Sequence, residues 1–282
     1  MSIKRLGIVG SGIMGSGIAE VAAKAGVEVI LRSRQQASAD AMVAGLEKSL
    51  AKQVEKGRLE DAAAKEIAAR VSATDDLHAL HDCDLVLESV VEDLEVKKEL
   101  FTRLDDIVKP EGIIATNTST LPIVELAMAT ERPDKVVGIH FFNPAPMMKL
   151  VEVIAPLTAS TETVDAAKAF AAGCGKDVVE VKDRAGFIVN ALLFPYLNNA
   201  VRMLEAGTAN RDDIDTAMKG GCNFPMGPLA LLDLVGLDTS LSILDALYDE
   251  FRDPNYAAMP LLRRMVAAGK LGRKSGSGFY DY

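Results

Sequence analysis

Gly10, Gly12 and Gly15, in LGIVGSGIMGSGIAEVAAKAG, have the spacing G-x-G-x-x-G. In a nucleotide-binding loop the first glycine makes a tight turn, the second lets the backbone approach a pyrophosphate, and the third lets a helix pack closely on a strand. An apolar run leads into this loop and an apolar-periodic run leaves it. The anion would meet the free amides of a helix N-terminus, with Ile13 and Met14 in its first turn. No Walker lysine follows, so the chemistry indicated is dinucleotide binding rather than that of a P-loop. A tight turn that binds nothing is the bland alternative.

The second strand of such a unit usually ends in an acid that hydrogen-bonds the adenosine ribose. In VEVILRSRQQ that place is held by Ser33, flanked by Arg32 and Arg34, and the next acid is Asp40, beyond the strand. A carboxylate would repel a 2′-phosphate, a serine leaves it room, and an arginine offers it charge and a planar fork. Missing acid and added arginines favour NADP over NAD, against the plain reading of two surface arginines.

Proton transfer needs a group that titrates near neutrality, and there are three histidines. His78 and His81 lie in the polar stretch DDLHALHDCD and read as solvated. His140, in VVGIHFFNPAPMMKLVEVI, follows an apolar strand and so falls at a carboxyl end, where open α/β sheets place their ligands. Spacing alone leaves it open whether His140 makes a structural hydrogen bond or moves a proton. Glu152 reads as a strand-edge acid, Ser119 in NTST as a turn serine, and Asn190 as a helix-surface asparagine.

The elements that must position these residues follow from periodicity. Strands are expected over residues 6–9, 27–31, 85–89, 112–115, 136–139 and 178–181, with helices over 13–25, 95–107 and 160–172. Residues 37–70, rich in Ala, Glu and Lys and broken at Gly57, predict a helical hairpin inserted after the second strand. The fold class is α/β, a Rossmann-type, doubly wound, mostly parallel sheet over residues 1–184. Strand signals then stop, and an all-helical domain is expected over 185–282, with helices at 188–204, 211–219, 229–251 and 260–268. Pro195 should kink the first of these. FIVNALLFPYL and PLALLDLVGL are apolar on more than one face, which predicts a homodimer.

A net charge of −9 argues against nucleic-acid binding, which needs a concentrated basic surface. Cys83, Cys174 and Cys222 are widely spaced, without a C-x-x-C pair or a histidine cluster, so neither zinc nor a disulfide framework is expected. No signal peptide and no membrane span is read, which predicts a cytoplasmic protein.

Several ordered motifs together resemble the 3-hydroxyacyl-CoA dehydrogenase family, in its short bacterial form. They are GIVGSGIMGSGIAEVAAKAG, ATNTST, GIHFFNPAPMMKLVEVI, GFIVNALLFPYLNNA, PMGPLALLDLVGLDT and LGRKSGSGFYDY, which span nearly the whole chain. The resemblance implies reversible hydride transfer between NAD(P)H and acetoacetyl-CoA, giving (S)-3-hydroxybutyryl-CoA. It implies that His140 is the general acid and base and that Glu152 orients it, with Ser119 and Asn190 near the reacting oxygen. It also implies that Glu92, Lys97, Ser119 and Asn143 line the nicotinamide half of the cofactor site, that Lys274 reaches the cofactor, and that Ser49, Lys56 and Ser119 contact the CoA substrate. Ser33 departs from the aspartate common in the family, so the resemblance leaves the choice of cofactor to the arginines.

Two other classes share some of these features. β-Hydroxyacid dehydrogenases carry a similar glycine loop but use a helix lysine as the acid–base group and act on free acids. A non-catalytic NADP-sensing protein would have no need of the His140 and Glu152 pair.

Overall fold

β1 (Arg5–Val9) is buried along all but its first residue and runs through the glycine loop into α1 (Ile13–Lys24) in the computed structural model, which describes residues 2–282. β2 (Glu28–Arg32) lies parallel to β1, with Leu6 opposite Val29 and Val9 opposite Arg32. The Gly10 amide donates to the Arg32 carbonyl at 3.1 Å, so the glycine loop and residues 32–34 share one end of the sheet.

The hairpin is α2 (Gln36–Glu55) and α3 (Asp61–Ala69), turned at Gly57. Met42, Leu46 and Leu50 recur at helical spacing and join Ile18 and Ala22 of α1 in one core. β3 (Val71–Thr74) follows directly, a strand the apolar pattern does not reveal because only Val71 is buried.

β4 (Leu85–Glu88), α4 (Leu94–Ile107), β5 (Ile113–Thr116), the short α5 (Ile123–Ala127) and β6 (Val136–Phe141) continue the alternation. β4, β5 and β6 are buried at every position, as strands covered on both faces must be. β7 (Leu150–Ala155), α6 (Thr161–Gly173) and β8 (Asp177–Lys182) complete the first unit.

The eight strands form one sheet in the order β3-β2-β1-β4-β5-β6-β7-β8. All pairs are parallel except β6 with β7, so β7 and β8 run against the other six. The order reverses between β1 and β4, and a crevice for a ligand opens at such a switch point.

The chain divides into two compact units, Met1–Asp183 and Arg184–Tyr282. The second contains α7 (Val189–Glu205), α8 (Arg211–Cys222), α9 (Pro228–Val235), α10 (Leu237–Phe251) and α11 (Pro260–Ala267) around a core that includes Phe194, Leu197, Leu232, Leu244 and Leu262. The apolar pattern predicts one helix over 229–251; Gly236, at φ 101°, divides it into α9 and α10 because that backbone conformation ends a right-handed helix. α7 runs on through Pro195.

Asp233, 1% exposed, accepts from the Phe279 and Tyr280 amides at 2.9 and 2.8 Å and ties the C-terminal segment to α9. Among the described residues, no helix is long and apolar enough to cross a membrane.

Candidate active site

The antiparallel register of β6 and β7 sets His140 directly opposite Glu152. Opposed residues on adjacent strands project from the same face, so the two side chains meet without help from a loop. His140 Nδ1 lies 2.8 Å from Glu152 Oε2, and the residues are 4% and 0% exposed. In the tautomer in which Nδ1 donates to this carboxylate, Nε2 is the accepting nitrogen of the ring. Ser119 Oγ lies 3.0 Å from Nε2 and donates to it in that tautomer. The Phe142 ring packs against the imidazole, with centroids 4.5 Å apart.

Ser119 is held from the neighbouring loop, after β4. Glu92 Oε1 accepts from the Thr118 hydroxyl and, at 2.9 Å, from the Ser119 amide. Asn117 Oδ1 accepts from the Phe141 amide at 2.8 Å and joins the loop after β5 to the end of β6. Beneath this loop, Lys97 Nζ donates to Glu88 Oε1 at 2.6 Å and lies 3.3 Å from Glu92 Oε2; Thr116 Oγ1 donates to Glu88 Oε2 at 2.8 Å. Lys97 is 1% exposed, so its ammonium sits between two carboxylates instead of in solvent.

Glu88 is a residue that sequence reasoning misses. Its signal is an acid ending the otherwise apolar run LVLE. Two charges buried this deeply hold only as a pair with hydrogen bonds to spare, which is what Thr116 and the Val90 amide supply to Glu88.

At the switch point a cavity of roughly 660 Å³ is lined by Gly10, Ser11 and Gly12, by Arg32, Ser33 and Arg34, by Ser89, Val90 and Val91, and by one face of α4. The glycines fit a dinucleotide. Gly10 has φ 139°, and a Cβ there would strike the Ser89 carbonyl; a Cβ on Gly15 would come within 2.7 Å of the Gly10 carbonyl oxygen. Nothing lies within 4 Å of a Cβ on Gly12, and α1 has no side-chain cap, so the helix amides face open space. Ile13 is exposed, whereas Met14 packs against the core.

Ser33 is buried, Arg34 is exposed, and Arg32 Nε donates to the Asp75 carbonyl at 3.2 Å. Burial first, then the neighbouring Arg103 guanidinium, pull the Arg32 pKa below the usual arginine value.

The remaining predicted residues are more dispersed. Ser49 Oγ donates to Glu20 Oε2 at 2.8 Å, and Glu20 also accepts from Lys24 at 2.6 Å and Gln53 at 2.8 Å, so this serine helps dock the hairpin on α1. Lys56 is exposed at the end of α2, and exposed Asn143 precedes Pro144 in the loop between β6 and β7. Lys176 Nζ grips that loop through the Ala145 and Met148 carbonyls at 2.6 and 2.8 Å. In the second unit, Asn190 is 8% exposed, not the surface residue its helix position suggests, and Lys274 Nζ donates to Asp238 at 2.6 Å. Burial pushes the Cys83 and Cys174 thiols up to about 12 and about 11, which keeps them unreactive.

An imidazole hydrogen-bonded to a buried carboxylate, on the same sheet as a crevice that fits a dinucleotide, is equipment suited to oxidising an alcohol carbon. The chain is an oxidoreductase acting on CH–OH groups. Residues 5–184 match the 3-hydroxyacyl-CoA dehydrogenase NAD binding domain and residues 186–282 match the C-terminal domain of the same enzymes. The chain belongs to the 3-hydroxyacyl-CoA dehydrogenase family.

It is 49% identical to a 3-hydroxybutyryl-CoA dehydrogenase of Clostridioides difficile over 99% of both chains. The crystal structure of Mycobacterium tuberculosis FadB2 is similar with a TM-score of 0.97 and 47% identity over 100% of both chains. That of the (S)-3-hydroxybutyryl-CoA dehydrogenase of Ralstonia eutropha is similar with a TM-score of 0.97 and 42% identity, over 100% of this chain and 99% of the other.

Proposed function

We propose that the chain interconverts (S)-3-hydroxybutyryl-CoA and acetoacetyl-CoA, using NADP(H) in preference to NAD(H). The observation that carries the reaction is the line from Glu152 through both nitrogens of His140 to Ser119. The nicotinamide, when bound, accepts or supplies the hydride. His140 Nε2 takes the proton of the 3-hydroxyl as C3 gives up its hydride, and returns it to the ketone oxygen in reduction. Glu152 fixes the tautomer and stabilises the imidazolium, and the Ser119 hydroxyl donates to negative charge developing on the same oxygen.

The thioester substrate is supported by the names of the relatives from Clostridioides difficile and Ralstonia eutropha. The cofactor preference is supported by Ser33 where an acid is usual, with Arg32 and Arg34 lining the same cavity. Asn190 and Lys274 are assigned to substrate and cofactor, and Ser49 and Lys56 to CoA, on the family resemblance. Exposed Leu192, Phe224 and Leu234 on the second unit support a homodimer, and three free thiols, one of them the exposed Cys222, suit the reducing cytoplasm.

The test is the absorbance of reduced cofactor during turnover of acetoacetyl-CoA, with NADPH and NADH in parallel. Turnover is expected with both, at higher kcat/KM for NADPH, and His140→Ala should abolish it. Equal turnover of free acetoacetate, or near-native activity of His140→Ala, would refute the reaction; a higher kcat/KM for NADH would refute the cofactor assignment.

A further inference from the structure

We propose that Arg103 of α4 is a specificity-determining residue of this enzyme, supplying a guanidinium that closes on the 2′-phosphate of NADPH from the α4 side of the cavity that Ser33 also lines. This deepens the cofactor preference proposed above and rests on it.

α4 turns two faces to the protein. Lys97, Leu100, Phe101 and Leu104 are buried, and Val96, Glu99 and Arg103, at helical spacing, line with Leu100 the cavity that also holds Arg32, Ser33 and Arg34. The loop after β2 and the side of α4 thus bring three guanidinium groups to one cavity. Arg32 is held on the Asp75 carbonyl, and Arg103 is the neighbouring charge that most disfavours its protonated form, ahead of the Arg34 contribution.

Three like charges converging in a chain of net charge −9 repel one another, and nothing in the packing of α4 requires an arginine at an exposed position. A dianionic phosphate would turn that repulsion into attraction, and a guanidinium fork matches its oxygens. The uncharged ribose of NADH would leave it in place.

Acidic groups shape the site without cancelling it. Glu99 sits one turn before Arg103 on the same wall, and Asp75 and Asp76 act on Arg32 from the end of β3. A different use of Arg103, stacking its planar face on adenine, would serve both cofactors alike, and this is what the experiment separates.

Adenosine 2′,5′-bisphosphate and adenosine 5′-monophosphate carry the two ribose chemistries without the nicotinamide. Their dissociation constants are measured by calorimetry on the native chain, Arg103→Ala and Arg103→Lys. Arg103→Ala removes a charge-assisted hydrogen bond to the 2′-phosphate and should weaken the bisphosphate roughly tenfold to a hundredfold. The monophosphate should stay within about a factor of three. Arg103→Lys should recover part of the affinity, because it keeps the charge and gives up the fork.

If Arg103→Ala weakens both ligands equally, or neither while the native chain still prefers the bisphosphate, the role of Arg103 is overturned and the NADPH preference stands. If the native chain shows no preference for the bisphosphate, the NADPH preference itself falls, and the role of Arg103 with it.

Discussion

Replacing Glu152 with glutamine keeps the volume and a hydrogen-bond acceptor beside His140 but removes the charge. The carboxylate oxygen is 2.8 Å from Nδ1. With the centres of the two charges roughly 4 Å apart and an effective dielectric of about 20, the attraction that appears when the imidazole gains a proton is about 4 kcal/mol. In oxidation of the hydroxyacyl thioester that proton arrives in the transition state, so the whole of it falls on the chemical step. At about 1.4 kcal/mol per decade, kcat should drop roughly a thousandfold. KM for the thioester should change little, because the charge does not act on the ground state.

The assay is initial rate of (S)-3-hydroxybutyryl-CoA oxidation under saturating cofactor, with fluorescence titration of NADPH to show that the crevice is intact. Glu152→Asp, which keeps the charge and withdraws it by one methylene, should retain more activity than Glu152→Gln. A glutamine variant that binds cofactor normally and turns over within a factor of three of the native rate would show that Glu152 does not stabilise an imidazolium.

Three further outcomes are expected. Arg34→Ala should raise KM for NADPH more than for NADH in steady-state assays; equal changes would remove Arg34 from phosphate recognition. Glu88→Gln leaves the buried Lys97 ammonium without its 2.6 Å partner and should cost roughly 3 kcal/mol or more in urea unfolding, so a cost below about 1 kcal/mol would make the pair dispensable. Burial alone would raise the Glu20 carboxyl, but hydrogen bonds from Lys24, Gln53 and Ser49 outweigh it and hold the pKa below the ordinary glutamate value. The stability it confers is therefore complete above about pH 4.5 and lost as pH falls through the lower folded-state value. Glu20→Gln should show a shallower acid limb in thermal melts scanned downward from pH 6, and an unchanged limb would contradict this.

The first βαβ unit was legible because its strands and helix each carry an unbroken apolar signature around the glycine loop. β3 was not, since VSAT buries one residue and a half-exposed edge strand has no apolar face to display. The α9–α10 break hid inside PLALLDLVGL because Gly236 interrupts hydrophobicity so little.

At the site, residue type singled out His140 and only the family resemblance added Glu152, because their contact depends on an antiparallel pairing over a separation of 12 residues, which periodicity does not encode. Glu88 was opaque, and the burial of Lys97, named only on the resemblance, was equally hidden, for the opposite reason. Charged residues are presumed solvated, and only the tertiary fold shows these two buried together. Arg103 sits among the ordinary charges of α4, and its meaning comes from what it faces.

The pairing of β6 with β7 joins the chemistry of the protein to its durability. In many enzymes the reacting groups ride on loops that can loosen while the scaffold stays folded. Here His140 and Glu152, the proposed base and its orienting acid, belong to hydrogen-bonded strands buried within the sheet, and a slip of one residue would turn each to the other face. Activity should therefore outlast loosening of surface segments during denaturation and vanish only when the most slowly exchanging amides are released.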